Sequence, residues 1–224
     1  MLNSWITYNN LVVLFSQFIY FINTYKIYNT TYKMKLLNNI NTQYIKKAIF
    51  ILVVYIIYIG LFNGYNPYLP SLPFYPNNEM ELAEVEKAVA NRTPNDIAFF
   101  HKTNKSVVEA FVNHVSETRD ELTIIETKQN HIILFFKYLI NRRRPYQLNP
   151  DLNVININTA QTPAFPAGHA YQAHLLAKTL SKKYPEKTQL LYDIALQCDD
   201  CRIKAGIHYP SDGEFARKLV EWFN

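Results

Sequence analysis

The chain has 224 residues, which is enough for one domain of ordinary size and a further segment. Its 23 Lys and Arg residues outnumber its 18 Asp and Glu residues, so the formal net charge at neutral pH is +5. This excess suits an anionic ligand or a membrane surface. We expect no nucleic-acid partner, because no recognition motif accompanies the charge. The 2 cysteines, Cys198 and Cys201, are too few for a structural zinc site.

The N-terminal part of the chain contains one long apolar run, residues 48–62, which follows Lys46 and Lys47. The run is shorter than the roughly 17 to 20 residues that a membrane-spanning helix needs. The flanking lysines and terminal aromatic residues nevertheless favour a membrane anchor over residues 46–65, with its N terminus on the cytoplasmic side. A cleaved signal peptide and a buried core segment are the alternatives.

Two short segments on either side of this run are less distinctive. Residues 1–45 form an N-terminal extension. Within it, residues 1–33 are compatible either with a true translation start at Met34 or with a second, weak membrane segment. Residues 66–76 carry prolines with a period of three, which is typical of the stiff polyproline II conformation. We interpret 66–76 as a linker, and packing along the surface of the following domain fits the pattern equally well.

The remaining residues, 77–224, have helical patterns almost throughout, with one short strand signal at residues 153–157. Three capping-box patterns predict helix N termini, at Thr93 with Asp96, Ser106 with Glu109 and Thr118 with Glu121. Further helices are predicted over residues 79–90, 130–141, 169–183, 186–197 and 212–222. None is both apolar all round and long enough to span a bilayer. The pattern predicts an all-α helical bundle.

Three short blocks in this region carry residues suited to binding an anion. Lys137 precedes Arg144 by two helical turns, so a helix would place both cations on one face. Pro145 disfavours the α conformation at Arg144, and we expect the helix to end there. The block from Pro166 to His169 precedes a helical pattern, and the free N–H groups of a helix N terminus bind anions. The third block contains Arg202, His208 and Asp212.

In this order and spacing, the blocks resemble the signature of the type 2 phosphatidic acid phosphatase and vanadium haloperoxidase superfamily. That signature has Lys, six residues, Arg-Pro; then Pro-Ser-Gly-His; then Ser-Arg, five residues, His, three residues, Asp. The resemblance covers residues 137–217. It implies a helical bundle of the acid phosphatase/vanadium-dependent haloperoxidase type over residues 77–224, following an N-terminal hydrophobic segment. The predicted helices are more similar to the soluble branch than to the polytopic lipid phosphatases.

The resemblance also implies a role for each residue in metal-independent phosphomonoester hydrolysis without a cofactor. His208 is the expected nucleophile, which forms a phosphohistidine, and Asp212 orients it. His169 is the expected general acid, which protonates the leaving oxygen and later activates water. The expected phosphate-binding residues are Lys137, Arg144, Gly168 and Arg202. Vanadate is expected to inhibit by occupying the same pocket.

Two positions depart from the superfamily pattern. Cys201 replaces the Ser before the arginine of the third block, and Ala167 replaces the Ser of the second block. A serine hydroxyl at position 167 would donate a hydrogen bond to the phosphate. The loss of one such donor can cost on the order of a hundredfold in rate. We therefore expect a slower or retuned enzyme that is still active.

Two other functions fit the same residues. One is a vanadate-dependent haloperoxidase with vanadate as cofactor, although the haloperoxidases of this superfamily are much longer chains. The other is a weakly active or non-catalytic anchored protein that binds phosphate.

The expected substrate is a phosphorylated small molecule or a lipid phosphate. The expected location is a single-pass membrane protein with its catalytic domain on the non-cytoplasmic side, or, alternatively, a secreted protein. The oligomeric state is left open.

Overall fold

The computed structural model describes residues 46–47, 49–51, 53–54, 64–155, 158 and 160–224. Its contacts divide the chain into two units, Met1–Asn63 and Gly64–Asn224. The extension at residues 1–45 and most of the apolar run lie outside the described residues, so their interpretations stay predictions. No helix in the described part of the chain is long and apolar enough to cross a membrane.

The second unit is built from helices. In chain order they are α1 (Asn78–Ala90), α2 (Pro94–Thr103), α3 (Val108–Phe111), α4 (Arg119–Thr127), α5 (Asn130–Ile140), α6 (Pro145–Leu148), α7 (Gly168–Ser181), α8 (Thr188–Lys204) and α9 (Pro210–Phe223). A 3-10 turn, Pro185–Lys187, precedes α8. The predicted all-α class is confirmed. The short strand signal is wrong for the described residues 153–155, which belong to no strand.

Helix α7 lies at the centre of the unit and packs against α4, α5, α8 and α9. Its small residues Ala170, Ala173 and Ala177 are fully or almost fully buried, and small side chains let neighbouring helix axes approach closely. Leu176 and Leu180 extend the buried face into the largest apolar cluster, which α3, α4 and α8 complete. The N terminus of α7 is therefore held at a fixed position inside the domain.

Two of the three predicted capping boxes are confirmed. They are Thr93 with Asp96 at α2, and Thr118 with Glu121 at α4. The predicted box between Ser106 and Glu109 is wrong. The Ser106 hydroxyl lies 2.9 Å from Oε2 of Glu126 on α4, and Glu109 instead pairs with Arg119 at 2.7 Å. A long-range buried acceptor thus replaces the local one.

The proline-rich segment packs against the end of α5. This helix ends at Ile140, earlier than the expected end at Arg144, because Asn141 adopts a left-handed conformation with φ 53°. The Asn141 amide donates to the Asn66 carbonyl at 2.7 Å, and its oxygen accepts from the Asn66 N–H at 3.0 Å. The Leu72 N–H also donates to the Ile140 carbonyl at 3.1 Å. Of the two interpretations of residues 66–76, the structure shows packing along the domain.

Candidate active site

The predicted site residues come from helix ends and the loops beside them. Lys137 lies on α5, Arg144 precedes α6, Gly168 and His169 begin α7, Arg202 is in the last turn of α8, and His208 and Asp212 lie at the start of α9. A cavity of about 200 Å³ is lined by Lys137, Arg144, Gly168, His169 and His208, together with Asn130, Ile133, Leu134, Thr162 and Gln172. Arg202 and Asp212 are buried next to the two histidines.

His208 and Asp212 form a buried pair. Nδ1 of His208 lies 2.9 Å from Oδ2 of Asp212, and an ionised carboxylate can only accept, so Nδ1 carries the proton. Burial and the charge of Arg144 lower the pKa of His208 to about 3, so the imidazole is neutral near pH 7. Its lone pair is therefore on Nε2, which lies 3.2 Å from Nη1 of Arg144.

The start of α9 explains why the two side chains meet. Tyr209 is the N-cap residue, Pro210 occupies the first helical position, and Asp212 is the third residue of the helix. The Asp212 carboxylate turns back and accepts the Tyr209 N–H at 2.9 Å, as the acid of a capping box does. His208 directly precedes the cap, so the same carboxylate reaches its ring. Local helix geometry therefore supports the pairing that the resemblance implied.

The side chains of Lys137 and Arg144 donate hydrogen bonds to backbone carbonyls. Nζ of Lys137 donates to the carbonyl of Pro163 at 2.7 Å, and Nε of Arg144 donates to the carbonyl of Thr162 at 2.8 Å. Burial and the charge of Arg144 lower the pKa of Lys137, while burial lowers that of Arg144 to about 10. An anion in the cavity would counter this desolvation, because an opposite charge favours the cationic forms.

Arg202 is fully buried, and one side of its guanidinium is anchored. Nη2 donates to the carbonyl of Thr103 at 2.5 Å and lies 3.1 Å from the Thr103 hydroxyl. Nε and Nη1 are buried and have no hydrogen-bond partner among the described residues. Unsatisfied buried donors are costly and uncommon, so they call for a physical explanation. Two oxygens of a bound phosphate would satisfy both donors.

His169 has its ring held in one tautomer. Nε2 lies 3.2 Å from the backbone carbonyl of Asn104, which can only accept, so Nε2 carries a proton and Nδ1 is the atom that can gain or lose one. Burial, followed by the charge of Arg202, lowers the pKa of His169 well below its usual value. The C-terminal end of α2 thus positions two site residues, Arg202 through Thr103 and His169 through the C-cap residue Asn104.

Arg142 contacts the site residue Asp212, although the sequence did not predict that it belongs to the site. Arg142 and Arg144 are buried while Arg143 between them is exposed, which is the alternation of an extended segment. Nη1 of Arg142 lies 2.6 Å from Oδ1 of Asp212. The sequence gives no sign of which of three consecutive arginines is buried. Only the proline at position 145, which disfavours helix, could have suggested an extended segment with alternating burial.

The described residues contain no group of His, Cys, Asp and Glu that could hold a metal ion. What they do contain is a cavity lined with cations, a helix N terminus, a neutral histidine whose Nε2 lone pair faces Arg144, and a second histidine with one exchangeable nitrogen. Cations and helix N termini bind phosphate. Two histidines in these protonation states can divide nucleophilic attack and proton transfer between them.

Comparison with known proteins adds one structural similarity. No family model matches the chain, and no curated protein matches its sequence significantly. Among solved structures, one match is described as the first transmembrane PAP2 type phosphatidylglycerolphosphate phosphatase from Bacillus subtilis. It is 19% identical with a TM-score of 0.45, over 66% of this chain and 87% of that chain. The description names the superfamily that the three blocks resemble, but so distant a similarity carries no argument on function.

The fold and the site together define a class of protein. It is an all-α domain in which the N terminus of a central helix, buried cations and a His–Asp pair surround one cavity. The interpretation as a soluble-branch member stays a prediction, as do the roles of the individual site residues.

Proposed function

We propose that this protein is a phosphatase of the type 2 phosphatidic acid phosphatase superfamily, which hydrolyses phosphomonoesters through a phosphohistidine at His208. The observation that carries this proposal is the neutral His208, with its Nδ1 proton held by Asp212 at 2.9 Å and its Nε2 lone pair beside Arg144 at the cavity. The same three sequence blocks that resemble the superfamily signature supply this geometry.

Binding of the substrate phosphate uses the cations first. The unpartnered Nε and Nη1 of Arg202 and the free N–H groups at the start of α7 donate hydrogen bonds to its oxygens. Lys137 and Arg144, which line the cavity, add positive charge. Charge on the equatorial oxygens is the main quantity that a phosphoryl-transfer site stabilises, so this ring of donors supplies most of the catalysis.

The reaction then proceeds in two steps. Nε2 of His208 attacks phosphorus, the P–O bond to the alcohol breaks, and the leaving oxygen takes a proton from Nδ1 of His169. Water next attacks the phosphohistidine, the P–N bond breaks, and Nδ1 of His169 takes the water proton. Asp212 stabilises the positive charge that develops on His208 during attack.

His169 must be protonated for the first step, although burial lowers its pKa in the empty site. A bound phosphate places negative charge beside the ring and raises that pKa. We therefore expect kcat/KM to be highest at acidic pH. It should fall as pH rises, because the free enzyme and substrate then lose the proton that His169 must donate to the leaving oxygen.

The test is hydrolysis of an aryl phosphate by the full chain in detergent with a metal chelator present. The expected result is turnover that vanadate inhibits and that His208→Ala abolishes. The exposed His101→Ala is the matched control and keeps full activity. A phosphoenzyme formed from radiolabelled substrate should be labile to acid and stable to base, as a phosphohistidine is. Full activity in His208→Ala, or activity that requires added metal, would contradict the proposal.

The same assay separates the other functions. Peroxidase activity that depends on added vanadate would identify a haloperoxidase, and phosphate binding without turnover would identify a non-catalytic protein. Comparing the aryl phosphate with phosphatidate in vesicles then distinguishes a soluble ester from a lipid phosphate as the better substrate.

A further inference from the structure

We propose that Arg142 is a positioning residue for the nucleophile, which holds the Asp212 carboxylate in the orientation that keeps the proton of His208 on Nδ1. The proposal rests on the function proposed above for its catalytic consequence, but the structural effect on His208 can be measured without substrate. Arg142 itself does not line the cavity, so it acts only through Asp212.

Every nitrogen of the Arg142 guanidinium is bonded. Nη1 donates to Oδ1 of Asp212 at 2.6 Å and to the hydroxyl of Ser211 at 2.8 Å. Nη2 donates to Oε2 of Glu81 on α1 at 2.6 Å, and Nε donates to the side-chain oxygen of Asn78 at 2.9 Å. The side chain is 0% exposed. A buried guanidinium with a bond at every nitrogen is restricted to one orientation.

The two oxygens of Asp212 are divided between separate partners. Oδ1 faces Arg142, whereas Oδ2 accepts from Nδ1 of His208 and from the Tyr209 N–H, both at 2.9 Å. Rotation of the carboxylate would break all three interactions together. Arg142 therefore fixes the angle at which Oδ2 meets the imidazole ring.

Two tyrosine rings pack against the guanidinium and restrict its movement. The Arg142 guanidinium carbon lies 3.9 Å from the ring centroid of Tyr209 and 4.1 Å from that of Tyr75. Tyr75 belongs to the proline-rich segment, and Glu81 belongs to α1. The packing of residues 66–76 and of α1 thus reaches His208 through Arg142, which gives the proline-rich segment a role beyond that of a linker.

The charge balance gives the same result. Burial by itself raises the pKa of Asp212, but the charge of Arg142 and the hydrogen bond from His208 lower it to about 2. Glu81 competes for the same guanidinium at 2.6 Å. Without Arg142, two buried carboxylates would face each other and one would take up a proton. A protonated Asp212 would donate to Nδ1 of His208, which would move the imidazole proton to Nε2 and remove the attacking lone pair.

The test compares Arg142→Gln with Arg143→Gln, which changes the adjacent exposed arginine, whose Nε donates to the Tyr65 hydroxyl at 2.6 Å. Nuclear magnetic resonance of the empty protein with isotope-labelled histidine reports the tautomer directly. We expect His208 to be protonated at Nδ1 in the parent and in Arg143→Gln, and at Nε2 in Arg142→Gln. An unchanged Nδ1 tautomer in folded Arg142→Gln overturns the proposal, whatever the activity.

Kinetics supply the second readout. We expect Arg142→Gln to lower kcat by on the order of a hundredfold or more, as the wrong tautomer does in a Ser-His-Asp triad, with a much smaller change in KM. The loss should shrink as pH rises, because Asp212 then ionises again. A loss that is equal at all pH values indicates a merely structural role and overturns the proposal.

Two further variants keep the test informative if Arg142→Gln does not fold. Arg142→Lys retains the charge without the planar fork and should give an intermediate pH profile. Arg142→Gly with added guanidinium should regain part of the lost kcat, and no regain at any guanidinium concentration counts against the proposal. If the tautomer changes as expected but the parent hydrolyses no phosphate ester, the proposed function fails while the positioning role stands.

Discussion

At the scale of single residues, Ala167 is the position where this chain departs most clearly from the superfamily signature. It is the N-cap residue of α7 and is fully buried, and its N–H donates to the backbone carbonyl of Asp212 at 3.0 Å. No side chain caps this helix end. The next residue, Gly168, lines the cavity, so a hydroxyl at position 167 would lie at the edge of the phosphate site.

We predict that Ala167→Ser raises kcat, by up to on the order of a hundredfold, because the hydroxyl adds one hydrogen-bond donor to the transition state. The same hydroxyl can accept a backbone N–H of α7, so the free energy of unfolding should rise by about 0.5 to 2 kcal/mol. Steady-state kinetics and urea unfolding measure the two effects. Ala170→Ser, a buried position one turn into the helix, is the control that should not raise kcat. An unchanged or lower kcat in Ala167→Ser contradicts the prediction.

At the scale of elements, the loop between α2 and α3 is held by hydrogen bonds to a residue of α4 that is distant in sequence. Glu126 on α4 is 5% exposed and accepts from the Ser106 hydroxyl and from the Val107 N–H at 2.9 Å. Burial raises its pKa in spite of these bonds. Two residues before Ser106, the Asn104 carbonyl faces His169, and the carbonyl of Thr103, the last residue of α2, faces Arg202. Glu126 thus holds the chain segment whose carbonyls orient Arg202 and His169.

We predict that Glu126→Ala lowers the free energy of unfolding by about 1 to 3 kcal/mol, because it leaves buried donors without an acceptor. It should also lower kcat, since the carbonyls that orient the two catalytic groups would shift. Urea unfolding and the aryl phosphate assay measure both effects. Glu109→Ala is the matched control: its exposed ion pair with Arg119 contributes little, so both quantities should stay close to those of the parent. Equal effects in the two variants would mean that the local pair, and not Glu126, holds the loop.

At the scale of the whole molecule, the domain buries several titratable groups whose protonation differs from that of the unfolded chain. Burial, with the charge of Arg144 for one and of Arg217 for the other, lowers the pKa of His208 to about 3 and that of His174 to about 4. Burial acts in the other direction on Asp199 and raises its pKa to about 7. The folded protein therefore keeps these histidines neutral and the carboxyl protonated in mildly acidic solution.

We predict that the free energy of unfolding falls as pH falls from about 6.5 to about 4.5. Unfolded histidines bind protons in this window while folded His208 and His174 do not, so each contributes a slope of up to about 1.4 kcal/mol per pH unit. Asp199 opposes them, because the folded state keeps a proton that the unfolded carboxyl releases above about 3.8. Urea unfolding at several pH values measures the slope. His174→Phe, outside the catalytic site, should reduce it by one proton, and an unchanged slope contradicts the prediction.

The sequence by itself determined the features that depend on neighbouring residues. The all-α class and the helix starts at Thr93 and Thr118 follow from contacts within one helical turn, which spacing encodes directly. The blocks from Lys137 to Arg144, at His169 and at His208 identified the charged and histidine residues that line the cavity, because their order and spacing carry the superfamily pattern.

Only the tertiary structure decided which partners meet across the chain. It buries Arg142 and exposes Arg143. It also joins the loop after α2 by hydrogen bonds to Glu126 and not to the local Glu109. It also packed the proline-rich segment against Asn141. The contacts of Arg142 with Glu81 and Asp212 join residues 61 and 70 positions apart. Such pairings depend on how completed helices pack and on which side chains that packing buries, and no local spacing encodes either of these.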